Sequence, residues 1–122
     1  MSAAEQCYRV WWDDQARVAR TEWLPGSICR VEEATAVTDE IRDLGHGAVP
    51  VYVDMRNMAK LERSAREHFV SDQGGVRAIA LVAGSAVTKM MANFFIGMRR
   101  VPVPIKMFTD EAEAIAWLQR QP

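Results

Sequence analysis

The feature that most constrains the fold of this chain is the change in hydrophobic period along it. Short runs of alternating or β-branched apolar residues are followed by longer stretches in which apolar residues recur every three or four positions. The first pattern indicates β-strands and the second indicates amphipathic helices. Strands that alternate with helices of about ten or more residues are joined by right-handed crossovers. The chain is therefore predicted to form a largely parallel sheet covered by helices.

The first third of the chain predicts a β-hairpin. Tyr8, Val10 and Trp12 fall on one face of a possible strand, and extended character resumes from residue 16 to residue 23. The residues between the two runs, Asp13-Asp14-Gln15, are typical of a turn. The hairpin is expected to add antiparallel strands, which gives a mixed, mostly parallel sheet and the element order β-β-α-β-α-β-α-β-α.

The remaining elements follow from the same periodicity. Ala34, Val37, Ile41 and Leu44 form the stripe of an amphipathic helix that begins at about residue 30. A β-branched strand is expected to begin just past Pro50. The further expected elements are a helix over residues 61–73, a strand over 77–83, a helix over 86–98, a strand over 105–108 and a last helix that opens at 109–111. No linker or repeat interrupts this order, so residues 1–122 are predicted to form one α/β domain.

Charge and composition exclude several classes of partner. The chain has 15 Lys and Arg residues against 16 Asp and Glu residues, for a net charge of −1. This balance provides no net electrostatic attraction for nucleic acid or an anionic membrane. The most apolar stretch, residues 79–84, is too short to cross a bilayer, and the N-terminus lacks the pattern of a signal peptide. Cys7 and Cys29 cannot form a disulfide framework. We therefore expect a cytoplasmic protein that neither binds nucleic acid nor inserts into membranes.

The sequence contains no motif that indicates a catalytic chemistry. No His or Cys pair has metal-ligand spacing, and nucleotide-binding fingerprints are absent. We therefore predict no catalytic residues, no cofactor, no metal site and no enzymatic activity. Asp54 and Ser85 follow predicted parallel strands, at the sheet edge where ligands often bind. Their residue types are equally explained by a turn and a helix N-cap, which is the interpretation we favour.

The most unusual stretch is the Met- and Phe-rich helix expected over residues 86–98. Val87, Met91, Phe94 and Met98 would share one face, so that Met90 and Phe95 point elsewhere. A helix packed on a sheet needs one apolar stripe, and this helix therefore has apolar surface to spare. The excess suits either an adaptable contact or ligand pocket, or a helix buried on several sides. The candidate contact residues are Met90, Met91, Phe94, Phe95 and Met98, together with Trp11.

The order of elements resembles a known family at this point. The segments that carry the resemblance are Val51-Tyr52-Val53-Asp54-Met55 and the closing stretch 104–118, in which a strand leads into an acidic-capped, Ala-rich helix ending in Trp117-Leu118. The chain resembles the STAS domain of bacterial anti-sigma-factor antagonists. It is similar, more closely, to the STAS-like, CRAL-TRIO-related small bacterial proteins of unknown role. The resemblance implies a STAS-like fold and a regulatory role rather than catalysis.

The phosphorylation switch of the antagonists is only partly matched. Their Asp-Ser pair at the head of the next helix falls on Glu62-Arg63 when counted from Asp54, and Arg63 cannot accept phosphate. Ser64 is the next residue, so a shift of one position would restore a phosphate acceptor. The candidate switch region therefore comprises Asp54, Ser64 and Ser85.

Three functions remain open from the sequence. The leading hypothesis is a non-enzymatic regulatory domain that acts by protein–protein contact, as a homodimer through the Met/Phe-rich helix or with another regulatory protein. The alternative is a carrier or sensor of a small apolar ligand or lipid, with an apolar pocket beneath the same helix. The third is a phosphorylation-regulated switch at Ser64.

Overall fold

A computed structural model describes residues 7–72, 75–97 and 103–122. These ranges contain seven strands and four helices. In chain order they are β1 (Tyr8–Asp13), β2 (Val18–Trp23), β3 (Ser27–Cys29), α1 (Val31–Asp43), β4 (Val49–Asp54), β5 (Met58–Leu61), α2 (Arg63–Ser71), β6 (Val76–Val82), α3 (Ala86–Ile96), β7 (Ile105–Phe108) and α4 (Glu111–Gln119).

The main sheet has five strands in the order β1-β2-β4-β6-β7. β1 pairs with β2 in antiparallel register, and the other three pairings are parallel. The Asp13 carboxylate closes the hairpin by accepting hydrogen bonds from the backbone N–H groups of Gln15 and Ala16. Arg17 completes the turn in the left-handed region, at φ 61°. The predicted N-terminal hairpin and the predicted mixed, mostly parallel sheet are both confirmed.

Two features of the strands differ from the prediction. β3 and β5 were not predicted, and they form a separate two-stranded parallel sheet. At three and four residues they are too short to display a period. β4 begins at Val49 and includes Pro50, whereas the sequence indicated a start after the proline. The β4–β6 ladder shifts register between Val49 and Pro50, and this irregularity accommodates the missing N–H of proline.

Helices cover both faces of the main sheet. One face carries a large apolar core to which α1, α2 and α3 contribute Ala34, Val37, Ile41, Ala65, Met91, Ala92 and Phe95. On the other face, α4 buries Ala114 and Leu118 against β4 and β6. The predicted apolar stripe of α1 is therefore the buried one. The Asp110 side chain accepts a hydrogen bond from the Glu113 N–H and begins α4 at the predicted position.

Candidate functional site

The apolar residues of α3 divide between two faces. Thr88, Met91, Ala92 and Phe95 are buried. Val87, Met90 and Phe94 are exposed, at 53%, 60% and 60%, and form a single stripe at spacings of three and four. We call these three residues the outer stripe of α3.

The prediction of which residues share a face of α3 was therefore wrong in part. Phe94 lies with Met90 on the outside, and Met91 lies with Phe95 on the inside. Thr88 explains the rotation, because its hydroxyl accepts hydrogen bonds from the N–H groups of Gly84 and Ser85 and is turned inward by this cap. Met98 lies outside the described residues.

Arg66 of α2 contacts the outer stripe. Its guanidinium carbon lies 4.8 Å from the centroid of the Phe94 ring, which is the geometry of a cation–π contact. Trp11 is 40% exposed but is not part of this surface. It lies on β1 at one edge of the main sheet, whereas α3 packs against β7 at the opposite edge. The structure therefore separates Trp11 from the candidate contact residues of α3.

A cavity of about 90 Å³ lies between the main sheet and the helices α1, α2 and α3. Its floor is formed by β2, β4 and β6, and its roof by side chains of α1, α2, α3 and β5. The sheet side consists of Thr21, Trp23, Val51, Val53, Met55, Val76, Ile79 and Leu81, and the helix side consists of Val37, Thr38, Ile41, Met58, Leu61, Phe69, Asp72 and Phe95.

The exposure of the lining residues shows which end of the cavity is open. Phe69, Asp72, Val76 and Ile79 are half-buried, whereas Thr21 and its neighbours on β2 and α1 are fully buried. Even Val53, in the central strand β4, retains some exposure. The cavity therefore has an open end near α2 and β6 and a closed inner end at β2 and α1.

The cavity lining is almost entirely apolar, and two of its three hydroxyl or carboxyl side chains are already engaged. The Thr38 hydroxyl donates a hydrogen bond of 2.8 Å to the Ala34 carbonyl and lies 3.3 Å from His68 Nε2. The Asp72 carboxylate accepts a 2.6 Å hydrogen bond from the Arg42 guanidinium. At the open end, the rings of Phe69 and Phe95 lie 6.0 Å apart, so an aromatic pair joins α2 to α3.

Thr21 is the exception among the polar lining residues. It is 1% exposed, and its hydroxyl oxygen has no hydrogen-bond partner among the described residues. Sequence reasoning did not single out Thr21. The available signal was its position in β2, where the inward-facing neighbours two residues away are Ala19 and Trp23.

The candidate switch residues have separate structural roles. Asp54 is 8% exposed, and its carboxylate accepts hydrogen bonds of 3.0 and 2.7 Å from the Arg56 guanidinium. Burial alone would raise the pKa of Asp54, but the hydrogen bonds and charge of Arg56 outweigh burial and lower it. Ser85 caps α3 by accepting a hydrogen bond from the Thr88 N–H. Ser64 is exposed in the first turn of α2, and its phosphorylation stays a prediction.

The described residues offer little for other chemistries. Within residues 7–72, 75–97 and 103–122, no three His, Cys, Asp or Glu side chains are placed to share a metal ion. No helix in the same ranges is long and apolar enough to span a membrane. Both cysteines are free thiols. Burial raises the pKa of Cys29, so the thiol near the start of α1 is not activated.

Comparison with known proteins identifies a family. The family model described as a domain of unknown function, DUF7793, matches residues 11–121. No curated protein matches the chain.

Two solved structures give a fold and a distant sequence relative. One is an uncharacterised protein of the DUF3478 family from Shewanella loihica PV-4, which has a SpoIIAA-like fold. It superposes on this chain with a TM-score of 0.65 at 12% sequence identity, and the match covers 97% of this chain and 98% of the other. The STAS-like fold expected from the sequence is therefore confirmed. A protein with unknown function from Arthrobacter sp. FB24 is 32% identical over 89% of this chain and 90% of its own, with a TM-score of 0.35.

Proposed function

We propose that this chain, which belongs to the DUF7793 family, is a non-enzymatic domain that binds a small apolar ligand in the cavity between its sheet and α1, α2 and α3. The observation that carries the proposal is the cavity itself. Protein interiors are normally packed with few voids larger than a water molecule. This cavity of about 90 Å³ is larger than such voids, has an apolar lining and is open at one end, so a ligand could enter and fill it.

The size and lining of the cavity indicate the scale of the ligand. An apolar cavity of ~150 Å³ in another protein stays dry and binds benzene. At about 90 Å³ this cavity suits a smaller body of a few carbon atoms. Its open end, near Phe69 and Ile79, provides a path of entry and room for a longer ligand to extend outward.

Butanol is a suitable probe, and its binding is observed by saturation transfer from protein protons to the alcohol in NMR. We expect transfer to butanol in the wild type and a strong reduction in Val53→Phe, whose ring would fill the cavity from the central strand. Val10→Phe is the matched control. Val10 on β1 and Val53 on β4 are the two cross-strand neighbours of Thr21. Val10 does not line the cavity, whereas Val53 does. Equal transfer in both variants would contradict the proposal.

The outer stripe of α3 favours a second function, which is docking of a second copy of the chain. Three large apolar side chains on one exposed helix face are more than a helix packed on a sheet requires. For the hypothesis of self-association through the Met/Phe-rich helix, the contact surface is thereby narrowed to Val87, Met90 and Phe94. The inward-facing Met91 and Phe95 are buried and unable to contact a partner without rearrangement.

Sedimentation velocity tests this second function. We expect the wild type to self-associate as its concentration rises, and the double variant Met90→Glu with Phe94→Glu to remain monomeric. Val31→Glu is a matched control, because Val31 is 38% exposed at the start of α1, outside the outer stripe. A wild type that stays monomeric at high micromolar concentration would rule out self-association through α3 and leave another protein as the partner of this surface.

A further inference from the structure

We infer that the free edge of β1 binds an extended, acidic segment of a partner protein, which adds a sixth strand to the main sheet. β1 is the first strand in the order β1-β2-β4-β6-β7, so one of its sides has no neighbouring strand among the described residues. The row of backbone N–H and C=O groups along such an edge is a template for pairing with another chain. Strand addition at a sheet edge is a recurrent mode of peptide recognition.

The pairing of β1 with β2 shows which backbone groups face the free edge. The Leu24 N–H donates a hydrogen bond of 2.9 Å to the Cys7 carbonyl, so these two residues form a hydrogen-bonded pair at the start of the antiparallel ladder. Hydrogen-bonded and non-hydrogen-bonded pairs alternate along such a ladder. Every second residue after Cys7 therefore directs its backbone groups toward β2. The residues between them, which direct their N–H and C=O groups toward the free edge, are Tyr8, Val10 and Trp12.

The two edges of the main sheet differ in how they are protected. β7, at the other edge, has four residues, follows Pro104 and contains Lys106. Short strands, prolines and lysines are features by which natural proteins prevent pairing at an edge. β1 has six residues and contains neither proline nor lysine. The β1 edge is therefore the one that is open to strand addition.

The side chains of β1 on the α4 face of the sheet indicate an acidic partner. α4 packs against β4, β6 and β7, whereas Arg9 and Trp11 lie beyond it on β1. The Arg9 side chain is 68% exposed, although it lies 3.7 Å from Glu22, and Trp11 is 40% exposed. The carboxylate of Asp13, the other charge of β1, is already bound by Arg20. Arg9 is therefore the charge of β1 that is available to an acidic side chain.

The alternation of side chains along a strand then gives the pattern of the bound segment. On the α4 face, an acidic residue beside Arg9 and an apolar residue beside Trp11 stand two positions apart. On the other face, Val10 and Trp12 are half-buried at the margin of the core, so the residues of the segment beside them are apolar. The partner segment is a strand of mostly apolar residues with an acidic residue on one face.

Selection from a display library of short linear peptides tests this inference, and Val10→Pro is the discriminating variant. Proline removes an N–H that points to the free edge and leaves the hydrogen bonds between β1 and β2 in place. Val10→Ala keeps the N–H and is the matched control. We expect selected peptides to carry the acidic and apolar pattern and to bind Val10→Pro about tenfold more weakly or worse, with Val10→Ala close to wild type. Arg9→Gln should also weaken their binding.

Amide hydrogen exchange of the wild type gives a second readout that does not depend on the folding of Val10→Pro. Addition of a selected peptide should slow exchange most at the amides that face the free edge, those of Tyr8, Val10 and Trp12. The amides of Arg9 and Trp11 already donate to β2 and should change less.

Three outcomes would overturn the inference. The first is a library that yields no binding peptide. The second is a peptide that binds a folded Val10→Pro variant as tightly as wild type, or that protects amides elsewhere in the chain. The third is protection of the same β1 amides in the wild type alone as its concentration rises, which would assign the edge to a second copy of the chain.

Discussion

Replacing Thr21 by valine is expected to stabilise the ligand-free protein. The substitution exchanges an unpaired hydroxyl for a methyl group of similar size in a strand paired on both sides, with Val10 and Val53 opposite. Leaving a buried hydroxyl without a partner costs ~1–3 kcal/mol. Valine also favours a strand at least as well as threonine. We expect the free energy of unfolding to rise by about 1–2 kcal/mol, which for a domain of this size raises Tm by roughly 3–8 °C.

Urea denaturation measures this change, and Thr38→Val is the matched control. Thr38 is also a buried threonine of the cavity lining, but its hydroxyl donates to the Ala34 carbonyl and lies near His68. Its loss should lower the free energy of unfolding by about 0.5–1 kcal/mol. The urea dependence of unfolding should be unchanged in both variants. A Thr21→Val variant that is less stable than wild type by ~1 kcal/mol or more would show that the Thr21 hydroxyl has a hydrogen-bond partner in the folded protein.

Three further predictions concern the polar residues singled out by the sequence. Ser85→Ala should lower the free energy of unfolding by ~1 kcal/mol, because it removes the N-cap of α3; an unchanged Tm would contradict this role. Arg56→Gln should cost about 1 kcal/mol near neutral pH after allowance for solvent screening, since the pKa of Asp54 is lowered in the folded state. That cost should begin to shrink as pH falls through ~3.9, the ordinary pKa of an Asp, and should disappear only below the lowered pKa of Asp54 in the folded protein. Urea titrations at several pH values would show a constant difference if the pairing were unimportant. Ser64→Asp should leave the Tm nearly unchanged or slightly raised, because a negative charge in the first turn of α2 is favoured by the helix dipole. If Ser64 is a switch, the same variant should also alter self-association in sedimentation. No change in association would remove the switch hypothesis.

The elements with a clear period were predictable from the sequence. The stripe of α1 placed Ala34, Val37 and Ile41 in the core, and the acidic segment 109–111 placed the start of α4, whose N-cap is Asp110. β7 is as short as β5 but has the predicted bounds, because its residues lie between Pro104 and the N-cap of α4 at Asp110. The sheet formed by β3 and β5 was not predictable in this way, because three or four residues contain too few alternations to separate a strand from a loop.

The candidate site was only partly predictable, because it depends on how elements meet. The excess of apolar residues in α3 left open a contact surface, a ligand pocket or a helix buried on several sides, and the structure exposes Val87, Met90 and Phe94. The grouping of Phe94 with Met91 was wrong because two helical stripes fit the same sequence, and the inward cap at Thr88 selects one of them. The cavity draws its lining from strands and helices that are far apart in the chain, so no local pattern contains it. Thr21 gained significance only when its surroundings showed an unpaired hydroxyl.

The most direct test of the central claim is a titration of methyl-labelled protein with butanol, followed by NMR. We expect saturable shifts only at methyl groups that line the cavity, such as those of Val51, Val53 and Ile79. The methyl groups of Val18 and Val82, which are buried on the opposite face of the same sheet, serve as an internal control and should not shift. Shifts that are absent, that do not saturate, or that are equal on both faces would contradict the existence of a ligand site in this cavity.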